Sequence, residues 1–166
     1  MFPPFYQRYV DLVPEKDIVS ALDEQGRKTA SLLQSISDEK ASFRYAPEKW
    51  SVKQVVGHFT DAERIFGYRA LAIARGETKS LPGFDENAYA ASGESDRRSI
   101  GELADEYETV RRSTVALFKG LSENAWDRSG VANDAPVDVR GLAYITLGHE
   151  RHHLRVLRDR YGVGTG

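Results

Sequence analysis

The chain has 166 residues, a net charge of −2 from 23 Lys+Arg against 25 Asp+Glu, no cysteine and four histidines. That length suits one domain whose core needs neither a disulfide nor a structural metal. Without cysteine there is no disulfide framework, thiolate zinc finger, iron–sulfur cluster or cysteine nucleophile, and the near-neutral balance excludes the clustered basic face of a nucleic-acid binder.

The chain opens on Met1-Phe2-Pro3-Pro4-Phe5-Tyr6, which lacks the basic n-region and apolar run of a signal peptide. No apolar stretch approaches the ~20 residues that cross a bilayer. The expectation is a soluble cytoplasmic protein with no membrane and no nucleic-acid partner. Phe2, Phe5, Tyr6 and Tyr9 form an aromatic arm, either packed on the body of the protein or free to dock a partner.

Four long helices follow. The first runs from about Pro14 to Ser37, with Ile18, Leu22, Leu33 and Ile36 on one stripe and small Gly26 and Ala30 between them. The second begins at a capping box, Ser51 with Gln54, and a Trp50–Val55 staple. Val52, Val55, Val56, Phe59, Ala62, Phe66, Ala70 and Ile73 hold its apolar face, and Arg75-Gly76 ends it. Residues 76–98 are too long for a plain turn, so Phe84 to Ala91 is expected to add a short helix. The third helix starts at a second capping box, Ser99 with Glu102, and carries Leu103, Tyr107, Val110, Thr114, Leu117 and Leu121. Residues 122–138, with Trp126 and Gly130 near the centre, are another long connection. The fourth helix runs from Val139, capped by Asp138, to Tyr161-Gly162, with Leu142, Ile145, His149, His153, Val156 and Arg160 on its inner side. The last five residues are expected to fray. The fold class is therefore all-α: a four-helix bundle with long crossover connections.

All four histidines lie on the second and fourth helices. A spacing of four puts His149 and His153 on one helix face, one turn apart, where two imidazoles can chelate one ion. If the two helices pack together, His58 can complete three nitrogen ligands and leave coordination positions open, as a catalytic metal site requires. His152 is three residues from His149, so periodicity leaves His152 and His153 as alternatives. His149-Glu150-Arg151-His152-His153 also satisfies H-E-x-x-H. The extended zincin form fails, because Val156 stands in place of glycine and Asp159 in place of histidine. A di-iron site fails as well: Glu150 and His153 give one E-x-x-H, and a second is missing. Glu150 and Asp61 are the candidate bases.

Two segments then carry a family resemblance. Trp50-Ser51-Val52-Lys53-Gln54-Val55-Val56-Gly57-His58 with Asp61-Ala62-Glu63-Arg64, and Gly148-His149-Glu150-Arg151-His152-His153-Leu154, resemble the DinB-like superfamily, which includes YfiT-type metal-dependent hydrolases and the bacillithiol and mycothiol transferase relatives. The similarity extends to Phe66-Gly67-Tyr68-Arg69-Ala70-Leu71 and Arg158-Asp159-Arg160-Tyr161. The resemblance implies that residues 1–166 form one DinB/YfiT-type bundle. It also implies that His58, His149 and His153 bind one divalent ion, zinc or nickel. The expected activity is metal-dependent: hydrolysis, or S-transfer from a low-molecular-weight thiol, on a small-molecule substrate. A non-catalytic metal- or ligand-binding bundle is the alternative, and a homodimer is a further partner expectation.

Overall fold

The computed structural model describes residues 1–164. A 3-10 turn, Pro4–Tyr6, leads into α1 (Gln7–Val10), followed by α2 (Ile18–Gln34), α3 (Asp38–Ala41), α4 (Val52–Ala74), α5 (Glu86–Ser92) and a 3-10 turn, Ser95–Arg97. Then come α6 (Ile100–Lys119), α7 (Glu123–Trp126), β1 (Ser129–Ala132), β2 (Ala135–Asp138) and α8 (Val139–Tyr161). Helices α2, α4, α6 and α8 are the bundle.

The helix starts follow from side-chain caps. Both capping boxes are formed, Ser51 with Gln54 before α4 and Ser99 with Glu102 before α6. Asp138 caps α8 through the Gly141 amide. Helix α4 stops where Gly76 adopts φ +91°, and α8 where Gly162 adopts φ +66°, conformations that cost a Cβ-bearing residue strain. The first long helix is shorter than its apolar stripe suggests. It starts at Ile18 because the Asp17 carboxylate caps the Ser20 amide, so Pro14 stays outside, and Ser37 caps α3 instead of extending α2.

Helix directions can be read from paired side chains. On α4 and α6, Phe59 meets Tyr107 and Glu63 meets Arg111, so these two neighbours run the same way. On α4 and α8, His58 meets His153 whereas Phe66 meets His149, so they run opposite ways. On α2 and α6, Arg111 reaches Leu22 while Asp105 reaches Gln34, again antiparallel. Two consecutive helices running parallel need a return along the bundle. At about 1.5 Å per residue α4 is roughly 35 Å long, and residues 75–99, with α5 inside them, make that crossing. The short helix expected near Phe84–Ala91 is α5.

The connection at 122–138 holds something the composition did not announce, an antiparallel hairpin with Ala132 paired to Ala135. Asn133 and Asp134 take φ 51° and 57°, the two-residue left-handed turn that Asn and Asp tolerate. A bridge from Leu81 to Ala132 ties the α4–α5 loop to this hairpin.

The core is two apolar clusters. Leu22, Phe66, Phe118, Leu142 and Leu147 belong to one, and Leu33, Val52, Phe59, Tyr107 and Leu157 to the other. Phe2 and Tyr6 pack against the first and Tyr9 is buried, so most of the aromatic arm is packed; Phe5 stays exposed. Two boundary expectations are corrected. Arg160 faces solvent, and Leu157 and Tyr161 take the inner side of α8. Val163 is buried, its amide bonded to the Leu157 carbonyl, so the expected fraying is absent there. Thr165 and Gly166 lie outside the described residues.

Candidate metal centre

Antiparallel packing of α4 on α8 brings the N-terminal half of one against the C-terminal half of the other. His58 therefore meets His149 and His153. The three Nε2 atoms converge: 3.2 Å from His58 to His149, 3.1 Å from His58 to His153, and 3.2 Å from His153 to His149. Among the described residues they are the one group of three or more His, Asp or Glu side chains gathered in this way. His152 lies outside it, half-buried against Tyr9 and His153. Of the two alternatives, it is His153 whose ring nitrogen joins His58 and His149.

Ring packing fixes the imidazoles. Trp50, held just before the α4 cap, lies 4.9 Å from His58. Tyr9 and Phe66 meet His149 edge-on at 5.3 and 5.6 Å. The Tyr9 contact depends on Gly148, where a Cβ would fall 2.1 Å from the Tyr9 carbonyl oxygen.

Burial drives the proton affinity of all three rings down. His58 is lowered to about 4. His149 and His153 are pushed well below the ordinary histidine value by burial first and by the neighbouring histidines second. The apoprotein therefore presents neutral imidazoles near pH 7. A ring nitrogen offers one proton or one lone pair in its plane, so three that converge cannot satisfy one another with hydrogen bonds. A cation that accepts three lone pairs resolves the conflict. Bonds of about 2.0–2.1 Å place ligand nitrogens roughly 3.3–3.4 Å apart at tetrahedral angles and about 2.9 Å apart on an octahedral face. The observed 3.1–3.2 Å falls between these values. The donor set fits one divalent ion.

The cluster is not sealed. His149 lines a cavity of about 230 Å³ under the N-terminal arm and the hairpin turn. His153 lines another of about 250 Å³ beside Trp50 and Tyr161.

Glu150 and Asp61 are not brought into the cluster. Glu150 is buried, and its carboxylate accepts from Thr29 Oγ1 at 2.6 Å, Tyr107 Oη at 2.6 Å and Arg111 Nη2 at 2.5 Å. Arg111 also grips Glu63 through Nε and Nη2, both at 2.8 Å, and donates to the Leu22 carbonyl at 3.1 Å. Gly26 gives this guanidinium its room, since a Cβ there would meet Arg111 Cγ at 2.5 Å. The result is a polar belt between the two apolar clusters that ties α4 to α8 through α6. Sequence reading missed it: neither Arg111 nor Glu63 was singled out as a buried charge, and Glu150 was read as a candidate base. Asp61, one turn beyond His58, is half-exposed; burial raises its carboxyl and Arg64 works against that. It lines neither cavity next to the histidines.

No helix of the described residues is long and apolar enough to cross a membrane. The sequence model of the DinB superfamily matches residues 21–157. Among solved structures the chain is similar to YfiT from Bacillus subtilis, described as a probable metal-dependent hydrolase with an unusual four-helix bundle topology. That likeness has a TM-score of 0.77 and 19% identity, and it covers 90% of this chain and 91% of that one. A DinB-like protein of Bacillus subtilis, YjoA, is similar at a TM-score of 0.60 and 24% identity, over 89% of this chain and 91% of that one. At these identities the likeness concerns the fold. No curated protein matches the chain.

Proposed function

The chain belongs to the DinB superfamily, and from that premise we propose that it is a metal-dependent hydrolase of small molecules, with His58, His149 and His153 as the ligands of one divalent ion, zinc or nickel. The observation that carries this reading is the convergence of three neutral Nε2 atoms at 3.1–3.2 Å, with His149 on the wall of one cavity and His153 on the wall of another. Such an ion supplies Lewis acidity, lowering the pKa of a water or thiol that reaches it.

The chain's own residues do the rest. Trp50, Tyr9 and Phe66 hold the rings so that their lone pairs meet at one point. Arg111 fixes the spacing of α4 and α8 by binding Glu63 and Glu150 at once. Glu150 is a positioning residue in this reading, since both of its oxygens are engaged in the belt. Asp61, which lines neither cavity beside the histidines, takes no step in this reading. The arm and the hairpin restrict bulk water around His149. S-transfer is the second reading: with no cysteine in the chain, its thiol has to be a small co-substrate.

The test is elemental analysis of protein purified without a histidine tag, wild type beside His58→Ala. About one equivalent of metal in the wild type and its loss in the variant are expected; equal content in both overturns the three-histidine assignment. The metal-loaded protein is then assayed with small esters and amides, and with thiols plus electrophiles. Turnover of the first class supports hydrolysis and turnover of the second supports S-transfer. Metal binding with neither favours the non-catalytic bundle.

A further inference from the structure

One buried cation of the bundle has no counter-ion among the described residues. Arg69, on α4, is 3% exposed. Its one hydrogen bond runs from Nη2 to the Pro82 carbonyl at 2.6 Å. Its Nε is the one fully buried side-chain nitrogen or oxygen without a partner among the described residues. No carboxylate of the described residues pairs with it. Arg111, equally buried on α6, shows what a structural arginine looks like: two carboxylates and a carbonyl surround it. Holding a guanidinium away from water without such partners is unfavourable, and a bound anion relieves it.

Arg69 and His149 share the walls of the 230 Å³ cavity. Tyr6 and Phe66 supply apolar surface there and Asn133 an amide, while Glu86 stands at the exposed rim without pairing to Arg69. The cavity therefore has one buried charge, positive, next to one of the three converging imidazoles. Its volume suits a small molecule.

We infer that Arg69 is the anchor for a substrate carboxylate, so that the site takes small carboxylic acids whose reacting group lies toward His149. A guanidinium presents a planar fork that a carboxylate matches with two parallel hydrogen bonds, whereas a lysine would offer only a point charge. The carboxylate supplies the missing counter-charge. The reacting end of this inference rests on the metal-site reading above; the anion anchor does not.

The experiment is calorimetric titration with succinate, and separately with inorganic phosphate, into metal-free wild type, Arg69→Gln, Arg69→Lys and His58→Ala. Succinate is expected to bind wild type and His58→Ala alike and to bind Arg69→Gln at least about tenfold more weakly, with Arg69→Lys between them. The metal content of Arg69→Gln should equal that of wild type, and its Tm without succinate should not fall. Equal succinate affinity in Arg69→Gln, no succinate binding to wild type, or a preference for phosphate overturns the inference. So does failure of Arg69→Gln to fold, which marks Arg69 as a structural cation. Failure of the metal reading shows separately, as unchanged metal content in His58→Ala, and leaves the succinate result standing.

Discussion

Replacing Arg111 with methionine removes the one positive charge of the buried belt while keeping much of its volume. The side chain makes three charge-assisted hydrogen bonds, two to Glu63 at 2.8 Å and one to Glu150 at 2.5 Å, and a fourth to the Leu22 carbonyl at 3.1 Å. Without it two carboxylates face each other in the interior, with only Thr29 and Tyr107 still donating to Glu150. Breaking a buried pair in this way costs about 3–5 kcal/mol. For a domain of this size each kcal/mol lowers Tm by about 2–4 °C, so a drop of roughly 6–20 °C is expected. The assay is thermal unfolding of metal-free protein, followed by circular dichroism. The cause is checked with the triple variant Arg111→Met, Glu63→Gln, Glu150→Gln, in which no charge remains to be desolvated. It should recover at least half of the loss. The reasoning fails if the single variant loses less than about 1 kcal/mol, or if the triple variant is no more stable than the single one. A folded Arg111→Met protein should also bind metal more weakly, because α4 and α8 then lose their shared anchor.

Acid should weaken the metal-free protein through its histidines. The folded state holds His58 at about 4, while the unfolded chain takes up a proton near 6.5. Between these values the unfolded state binds more protons, so stability falls as pH falls, by at most about 1.4 kcal/mol per pH unit for each such histidine. His149 and His153 act in the same direction. Unfolding midpoints from pH 7 down to 4.5 should therefore slope more steeply in wild type than in His58→Ala, and identical slopes would refute the assignment. Gly148→Ala should push the Tyr9 backbone off α8, since the new Cβ lies 2.1 Å from a carbonyl oxygen. A loss of about 1–3 kcal/mol is expected, together with faster proteolysis of the N-terminal arm; an unchanged Tm would show that the arm yields freely. Ser51→Ala removes the α4 cap and the hydroxyl that donates to Asp96, and should cost about 0.5–2 kcal/mol in denaturant unfolding. No measurable change there would mean that the start of α4 is held by packing alone.

The helices were legible because their signals are local. Ser51 with Gln54 and Ser99 with Glu102 are read within four residues, and the stripe from Val52 to Ile73 needs only the helical period. The spacing of His149 and His153 is equally local. The hairpin at residues 129–138 was less legible, since its strands are four residues each and its turn uses Asn133-Asp134 without glycine.

What the sequence by itself determined is the set of four amphipathic helices and the exclusion of thiolate from any metal site, because neither depends on how helices meet. The tertiary structure decided which residues share a point in space. It placed His153 in the cluster in preference to His152, sent Glu150 into the belt with Arg111, and left Arg69 buried with no counter-charge among the described residues. The physical reason is that a charged residue on a helix reads as solvent-facing until another helix supplies its counter-charge. Desolvation and its compensation are properties of the packed interior, and they arise between segments that lie 39 to 121 residues apart in the chain.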